Sequence, residues 1–415
     1  MSVIRPFKAV RPTQDKASLI AAVPYDVLNS SEARELTKNN PYSFLHVDKS
    51  EIDLPEGTNL YDEAVYLKAN ENLYKLMTEG HLIQDDKPCL YLYQQIMGNH
   101  AQVGVVCCAS VAEYENNLIK KHEHTRAEKE ADRIKHVDTT NAQTGPIFLT
   151  YRHKTEIENK MNEIMKRKPL YDFTAEDNVK HVAWLIDSDD EINYFIEHFA
   201  GIPALYIADG HHRCASAVKV SQKRKIANPN HTGNEEYNYF LCVIFPDNQL
   251  EIMDYNRVLK DSNGLNREEF LAKVAEKFDI EEYSQEKAYK PEKLHTFGMY
   301  APCKTWFKLT AKATTYPENH PVDSLDVSIL QNNLLAPILN IGDPRTDNRI
   351  DFVGGIRGLV ELENRVKAGE AFAFSMYPTS IEQLMNIADA GEVMPPKSTW
   401  FEPKLRSGLF IHLLS

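Results

Sequence analysis

Hydrophobic positions along the chain follow helical spacing in some stretches and strand spacing in others. Between residues 59 and 80, leucine, alanine and methionine recur at helical spacing, which predicts a helix closed by Gly80. The segments CLYLYQQIM and QVGVVCCASVAEY flank GNH and predict a β-hairpin. The run ALYIA predicts a strand that leads into ADGHHR. The following HHRCASAVKVSQKRK predicts a helix with a basic C-terminal end, which suits the helix dipole.

The remaining pattern mixes short helices and strands without a regular order. We predict a helix from Glu32 to Asn39 capped by Ser31, and an amphipathic helix in NREEFLAKVAEKF capped by Asn266. YNYFLCVIF and LEIMDYNRVL predict two strands paired with each other, and SLDVSILQNNLL predicts a helix. Because the alternation is irregular, the pattern predicts an α+β fold with mixed sheets rather than a doubly wound sheet.

The same pattern suggests three consecutive regions and indicates how they pack. They are an N-terminal α/β region (1–100), a central core (101–255) and a C-terminal α+β region (256–415). The N-terminal and C-terminal motifs both carry characteristic polar groups. We therefore expect both to fold back over the core.

Composition narrows the class of protein. The chain has 415 residues, 42% of them hydrophobic and 26% charged, which is typical of a soluble globular protein. Its formal net charge of −13 argues against a protein whose main partner is DNA or another polyanion. The start MSVIRPFKAV lacks a signal-peptide core, and the apolar runs are too short to span a membrane. The six cysteines form no C-x-x-C pair, so we expect buried reduced thiols in a cytoplasmic protein.

The turn DGHHR concentrates chemistry where a strand becomes a helix. Gly210 permits a tight turn, and the first-turn amides of the helix with Arg213 would attract a phosphate. Asp209 could cap the helix, hold a metal ion or orient a substrate hydroxyl. Zinc binding by His211 and His212 is disfavoured because adjacent residues point to different faces of a helix. The alternative is that the turn has only a structural role, as a capped helix start with one buried histidine.

A second cluster, KKHEHTRAEKEADR, holds a candidate general base. His122 and His124 alternate with Glu123, so in a strand Glu123 would face away from both histidines. Glu123 is the candidate base, with Arg126 or Arg133 as phosphate ligands. The alternative is a solvated, charged helix start capped by Thr125.

Two further clusters lie toward the C-terminus. NIGDPRTDNRIDFVGG crowds acidic and basic groups into a Gly/Pro-rich loop, which is typical of a salt-bridged turn. Those groups are Asp343, Arg345, Asp347 and Arg349. MPPKSTWFEPKLRSGL could be a tail packed by Trp400 and Phe401 or part of a site. Its polar candidates are Lys397, Ser398, Thr399 and Lys404.

The order of motifs resembles a known family. PFKAVRP, VPYDV, NPYSFLHV, HEHT…DR, YIADGHHRCASA, DPRTDNRIDFVGG and MPPKSTWFEPKLRSGL follow the order seen in the bacterial and archaeal domain of unknown function 1015 family. The DGHHR turn also resembles the wider group of free serine kinases, sulfiredoxins and ParB-type proteins. The resemblance implies a ParB/sulfiredoxin-like nucleotide-binding core with additional flanking α/β elements. Sulfiredoxins carry a cysteine where this chain has His211, so their repair chemistry is not expected here.

The resemblance also implies roles for individual residues. It implies that Glu123 and Asp209 are catalytic and that Asp209 also binds Mg²⁺. Nucleotide phosphates would then be held by Gly210, His211, His212, Arg213, Arg126 and Arg133. Further candidates for substrate contact are His122, His124, Lys397, Ser398 and Thr399.

The implied activity is phosphorylation of free L-serine to O-phospho-L-serine, with ATP or ADP as donor. The choice of donor and a homo-oligomeric state both stay open. A ParB-like DNA-associated protein is one alternative, although the net charge and the absence of a clear helix-turn-helix argue against it. A nucleotide-binding regulatory protein without turnover is the other. The chain carries no Walker A motif, dinucleotide fingerprint or kinase-type glycine loop.

Overall fold

The chain folds into two compact units, seen in a computed structural model that describes residues 2–284 and 287–415. Unit 1 comprises the residues up to Lys121 together with Thr125–Leu250 and Pro403–Ser415. Unit 2 comprises His122–His124 and Glu251–Glu402. Each unit therefore combines separated stretches of chain. The α+β class with mixed sheets predicted from the sequence is confirmed, whereas the division into three consecutive regions stays a prediction.

Unit 1 is built on one large mixed sheet in the order β6-β11-β8-β12-β5-β4-β10-β9, with β1 paired to β5. Its strands are β1 (Ile4–Arg5), β4 (Leu90–Met97), β5 (His100–Ser110), β6 (Ile119–Lys120), β8 (Ile147–Tyr151), β9 (Tyr171–Thr174), β10 (Lys180–Ile186), β11 (Leu205–Asp209) and β12 (Tyr239–Pro246). Short pairs join β2 (Val10–Pro12) to β3 (Leu82–Gln84) and β7 (Ala142–Gln143) to β21 (His412–Leu413). The pair β6/β11 and the pair β8/β12 are parallel, and the other pairs of this sheet are antiparallel.

The helices of unit 1 pack apolar faces against this sheet or against each other. They are α1 (Ala17–Ile20), α2 (Ser30–Thr37), α3 (Leu45–Asp48), α4 (Glu63–Thr78), α5 (Val111–Glu115), α6 (Ala127–Thr140), α7 (Thr155–Ile164), α8 (Asp189–Ala200) and α9 (His211–Ala227). Leu149 and Ile207 from the sheet and Phe195 from α8 belong to one buried cluster. The core thus fixes β11, and the turn that follows it, in a rigid frame. Among the described residues, no helix has the length and apolar character to cross a membrane.

Unit 2 is built on an antiparallel sheet in the order β15-β17-β16-β19-β14-β18. Its strands are β13 (Glu251–Met253), β14 (Tyr255–Leu259), β15 (Phe278–Tyr283), β16 (Thr296–Tyr300), β17 (Trp306–Ala311), β18 (Ile350–Gly354), β19 (Phe372–Ser375) and β20 (Trp400–Glu402), with β13 paired to β20. Its helices are α10 (Arg267–Lys277), α11 (Asp326–Leu330), α12 (Leu359–Lys367) and α13 (Ile381–Asp389). A π-helical turn, Gln331–Leu335, continues α11, so SLDVSILQNNLL forms two helical types rather than one helix.

Local sequence signals located several elements correctly. The hairpin around GNH is β4 paired with β5, with Met97 opposite His100. The helix predicted between residues 59 and 80 is α4, and Gly80 follows it with φ +77°. Five of the six free cysteines are buried, and Cys303 is exposed. The charged loop that follows residue 342 is a salt-bridged turn, with Arg345 on Asp343 at 2.8 Å and Arg349 on Asp347 at 2.7 Å.

Three local predictions are corrected by the structure. YNYFLCVIF and LEIMDYNRVL do not pair with each other, because β12 pairs with β5 and β8 whereas β14 pairs with β18 and β19. The helix predicted from Glu32 is α2, which begins at Ser30 and is capped by Asn29, since Asn29 and Glu32 form a capping box. Thr125 does not cap α6; its hydroxyl donates to Glu130 at 2.8 Å instead.

The two ends of the chain meet on unit 1. Residues Val10 and Ile411 exchange backbone hydrogen bonds of 2.9 Å, and so do Ala22 and Ser407, at 3.1 and 2.9 Å. β21 pairs with β7, which comes directly after α6. The last residues of the chain are therefore an integral part of unit 1 rather than a tail.

Gly408 gives a direct test of this C-terminal packing. It has φ +81°, and a Cβ built on it would lie 2.5 Å from Cγ of the buried Phe44. Gly408→Ala is therefore expected to lower the free energy of unfolding by about 2 to 3 kcal/mol, since backbone strain adds to overpacking. Gly80→Ala is the matched control, because Gly80 has φ +77° but open space around it. Equal losses in urea denaturation would contradict the packing contribution.

Candidate functional site

The DGHHR segment forms a left-handed turn between β11 and α9. Gly210 has φ +94°, and a Cβ at this position would lie 3.2 Å from two nitrogens of the Arg213 guanidinium. Both the backbone conformation and this close approach require glycine. Gly210 is the N-cap of α9, and no side chain caps the helix there. The positive end of a 17-residue helix dipole is thus placed at the turn, as an anion-binding loop requires.

Asp209 ends β11 and is held in place through both carboxylate oxygens. Oδ1 accepts the Gly210 N–H at 2.7 Å, and Oδ2 lies 2.9 Å from Nζ of Lys404. Although burial opposes ionisation, the charges of Lys404 and Arg213 hold the pKa of Asp209 well below its usual range. Asp209 is therefore a carboxylate with occupied oxygens. Its role as a Mg²⁺ ligand stays a prediction.

Arg213 points into a cavity of unit 1. Its Nη1 donates to the Pro146 carbonyl at 2.6 Å, whereas its Nε is buried without a hydrogen-bond partner. The cavity has a volume of about 30 Å³. That size suits a phosphate-sized oxyanion rather than a whole nucleoside. A buried guanidinium with an unused donor requires an acceptor, which such an oxyanion would provide.

Arg133 lines the same cavity from α6. Its Nε donates to Asp132 at 2.8 Å, and its guanidinium carbon lies 4.0 Å from the ring centroid of Tyr25. Asp132 also accepts the Tyr66 hydroxyl at 3.0 Å, which fixes the carboxylate that orients Arg133. Burial raises the pKa of Tyr25, so its ring stays neutral beneath the guanidinium. The structure thus brings Arg133 and Arg213, both predicted as phosphate ligands, to one cavity.

Other cavity residues were not predicted from the sequence. Asp48 accepts the Thr144 hydroxyl at 2.7 Å, and burial together with Arg133 lowers the pKa of His136 to about 4, so this histidine is neutral. Ser407 lies close enough to Gly145 that a Cβ there would be 2.8 Å from its hydroxyl oxygen. Asp48 follows the motif NPYSFLHV, and Ser407 lies within KLRSGL. Both residues could have been identified as candidates from their position in or beside these motifs, but neither lies in a cluster of charged residues.

Arg126 and the two histidines of the turn occupy different environments. The Arg126 side chain is exposed, and its backbone N–H donates to Nε2 of His212 at 3.0 Å. Arg126 does not line the cavity that holds Arg133 and Arg213. His211 is buried, whereas His212 is half-buried. His212 thus connects the start of α9 to the start of α6 within unit 1.

The HEH segment belongs to unit 2, where it is attached to the MPPKST loop. The Met394 N–H donates to the His122 carbonyl at 2.8 Å, and the Thr399 hydroxyl lies 3.5 Å from Nε2 of His122. Residues 122–124 do not form a strand, so the predicted strand-like alternation is absent. His122 is buried, Glu123 is half-buried and His124 is exposed. Within unit 2 the predicted base therefore lies on a segment that Met394 and Thr399 hold.

The other predicted residues of unit 2 lie in the same loop. Lys397 has φ +59°, and its carbonyl accepts Nη2 of the buried Arg257 at 3.0 Å. The Ser398 side chain donates to the Pro395 carbonyl at 2.6 Å, and its own carbonyl accepts the Thr379 hydroxyl at 3.0 Å. Arg257 and Thr379 thus fix the conformation of the loop. Burial lowers the pKa of Arg257 to about 10.

Comparison with known proteins gives distant structural similarity and a clear family. A free serine kinase in complex with AMP aligns at 14% sequence identity and a TM-score of 0.37, over 74% of this chain and 91% of that chain. A conserved hypothetical protein from Pyrococcus furiosus aligns at 15% sequence identity and a TM-score of 0.37, over 74% of this chain and 95% of that chain. SbnI from Staphylococcus aureus, with a C-terminal truncation, aligns at 10% sequence identity and a TM-score of 0.39, over 74% of this chain and 87% of that chain.

No curated protein matches the sequence. The sequence profile of one family, described as "Protein of unknown function (DUF1015)", matches residues 4–328. This match spans well over half of the chain and includes the HEH segment, the DGHHR turn and both cavity arginines. The chain belongs to the DUF1015 family.

Proposed function

We propose that the protein is a phosphotransferase that moves a phosphoryl group from ATP or ADP to the hydroxyl of free L-serine, giving O-phospho-L-serine. The observation that carries the proposal is the convergence of Arg133 and Arg213 on one cavity of unit 1. The two residues are far apart in sequence, and Nε of Arg213 is a buried donor without a hydrogen-bond partner. The planar donor fork of a guanidinium suits the oxygens of a phosphate. The proposed nucleotide-binding core is of the ParB/sulfiredoxin type implied by the sequence.

Phosphoryl transfer needs chiefly positioning and charge neutralisation, and the turn supplies groups for both. In the proposed reaction the serine hydroxyl oxygen forms a bond to the terminal phosphorus of the nucleotide. The bond between that phosphorus and the bridging oxygen breaks, and the shortened nucleotide leaves with the electron pair. Arg213, Arg133 and the start of α9 stabilise the negative charge on the transferred group and the leaving oxygen.

The hydroxyl proton must be accepted as the new bond forms, and Glu123 is the proposed general base. Its carboxylate is half-buried, and the MPPKST loop holds its segment through the His122 carbonyl. Because the backbone of this segment is held, fewer positions are open to the Glu123 carboxylate, which favours general-base catalysis. His124 and the polar residues 397–399 stay predicted substrate contacts.

The first test is product formation followed by removal of the base. Purified protein is incubated with L-serine, Mg²⁺ and either ATP or ADP, and O-phosphoserine is quantified by mass spectrometry. Glu123→Gln is expected to lower turnover about 100-fold while leaving nucleotide affinity unchanged, because it removes only the proton acceptor. Glu128→Gln, an exposed residue in the first turn of α6, is the control and should keep wild-type turnover. The proposal fails if neither nucleotide yields phosphoserine.

A further inference from the structure

We propose that Asp48 makes the cavity of Arg133 and Arg213 selective for a phosphate group that carries a proton, as the terminal phosphate of a nucleotide can. The inference rests on the proposed nucleotide-binding function and names the form of the ligand that this cavity takes. Asp48 ends α3, is 6% exposed and lines the cavity together with the two arginines. An ionised carboxylate only accepts hydrogen bonds, so it favours a ligand that brings a donor.

Thr144 fixes the Asp48 carboxylate at the wall of the cavity. Its hydroxyl donates to Oδ1 of Asp48 at 2.7 Å, and its own backbone carbonyl accepts the Gly408 N–H at 3.1 Å. Thr144 is itself buried and lines the same cavity. A carboxylate has about four acceptor positions, and a hydroxyl donor occupies one of them. Asp48 can therefore accept a second hydrogen bond, from a ligand in the cavity.

The charges around the cavity favour an anion of low charge. Nε of Arg133 donates to Asp132 at 2.8 Å, and although burial opposes its charge, Asp132 and Asp48 raise the pKa of Arg133. The charge of Arg213 likewise acts on Asp209. Each guanidinium thus already interacts with a carboxylate. An oxyanion whose oxygens all lack protons would lie against Asp48 as a like charge, which a buried site disfavours.

His136 adds an acceptor to the lining of the cavity and no positive charge. Burial and Arg133 lower its pKa to about 4, so the ring is neutral. Nε2 lies 3.2 Å from the Val47 carbonyl, which only accepts, so Nε2 carries the ring proton and Nδ1 is an acceptor. The residues that line the cavity therefore combine two donors, Arg133 and Arg213, with two acceptors, Asp48 and His136.

Phosphate and sulfate have the same shape but differ in the donor that Asp48 requires. Inorganic phosphate carries at least one proton at pH 7, and a terminal phosphate with a second pKa of about 6 carries one in part of the population. Sulfate carries none at this pH. A phosphate can donate its proton to Asp48 while its other oxygens accept from the arginines. Sulfate would instead place an unprotonated oxygen against the carboxylate, where it is repelled.

The test is calorimetric titration of the purified protein with inorganic phosphate and with sulfate at pH 7. Wild-type protein is expected to bind phosphate about 100-fold more tightly than sulfate, because a site with a buried acceptor rejects a ligand that lacks the donor. Asp48→Asn keeps an acceptor for the Thr144 hydroxyl and adds an amide donor. It should bind sulfate more tightly and phosphate more weakly, so that the ratio of the two affinities falls below about 5-fold.

Asp86→Asn is the matched control, because it makes the same change of charge at an exposed residue of unit 1. It should keep the wild-type ratio. If Asp48→Asn loses its fold, judged by its thermal transition, the wild-type ratio and Asp48→Ser still decide the question. A serine hydroxyl both donates and accepts, so Asp48→Ser should also lose most of the preference for phosphate.

Titration with ADP in the presence of each anion identifies the phosphate group that occupies the cavity. Inorganic phosphate is expected to weaken the apparent affinity for ADP, whereas sulfate at the same concentration should not. If phosphate is preferred over sulfate and yet does not compete with ADP, the selectivity stands. The assignment of the cavity to the nucleotide, on which the proposed function rests, is then wrong.

Three other outcomes are decisive. Equal wild-type affinities for phosphate and sulfate, or an unchanged ratio in folded Asp48→Asn, overturn the inference and leave nucleotide binding in place. Binding of ADP by a protein that binds neither anion also overturns it, since the cavity then accepts no phosphate group by itself. If wild-type protein binds neither anion and neither ADP nor ATP, the proposed function itself fails.

Discussion

Replacing Arg213 with alanine is expected to weaken ADP binding about 1000-fold. The guanidinium lies against Gly210 at the start of α9, and its buried Nε has no partner in unit 1. A phosphate oxygen bound there would accept a charge-assisted hydrogen bond in a largely desolvated cavity. Truncating one side of such a buried charge pair commonly costs about 4 kcal/mol, which corresponds to this loss of affinity. Calorimetric titration of the purified variant with ADP measures the effect.

Two companion variants make the result specific to the cavity. Arg213→Lys keeps the charge without the planar fork, so it should recover only part of the affinity. Arg126→Ala removes an exposed arginine whose side chain lies outside the cavity, and it should change affinity less than 3-fold. Equal losses in Arg213→Ala and Arg126→Ala would contradict the cavity as the phosphate site. An unchanged affinity in Arg213→Ala would contradict it as well.

The parts of the fold that local signals specify could be predicted from the sequence. α4 and the β4/β5 hairpin were located because helical spacing and a short turn act over a few residues. Strand partners could not be located in this way. β12 pairs with β8 and β5, and nothing in its own residues distinguishes these partners from the strand that follows next in the chain. Pairing across long loops is decided by the packing of the whole sheet.

The candidate site, like the fold, could be predicted from the sequence only where local residues determine it. The turn itself was predictable, because a glycine directly before a helix start indicates a tight turn that exposes the first amides of the helix. That Lys404 pairs with Asp209 was not predictable, because the two residues meet only when the C-terminal segment returns to unit 1 after unit 2 is complete. Likewise, spacing could not show that Arg133 and not Arg126 faces the cavity. Arg126 is the N-cap residue of α6 and Arg133 lies in the middle of this helix, and the packing of α6 against its neighbours decides which side chain lines the cavity.

Asp326→Asn is expected to remove most of the loss of stability that unit 2 undergoes between pH 4 and pH 8. Asp326 begins α11 and is 5% exposed; Oδ1 accepts the His295 N–H at 2.9 Å, whereas Oδ2 is buried without a partner. Burial raises the pKa of Asp326 to about 7, against 3.8 for an exposed carboxyl. The native protein therefore binds more protons than the unfolded chain in this range, and its stability falls as pH rises from about 4 to about 7.

Above pH 7 the penalty is constant at about 4 kcal/mol, because both states are then ionised and the native carboxylate stays desolvated. Asparagine keeps the acceptor for the His295 N–H but cannot ionise, so the variant should lack the fall in stability that ionisation of Asp326 causes between pH 4 and pH 7. Its advantage over wild type should accordingly be large at pH 8 and small at pH 4. Urea denaturation at several pH values measures the difference.

Asp323→Asn is the control, since Asp323 is 44% exposed and its replacement should leave the wild-type pH dependence in place. A parallel pH dependence in wild type and Asp326→Asn would show that the Asp326 carboxyl is solvated or paired, because only a desolvated, unpaired carboxylate couples its ionisation so strongly to folding.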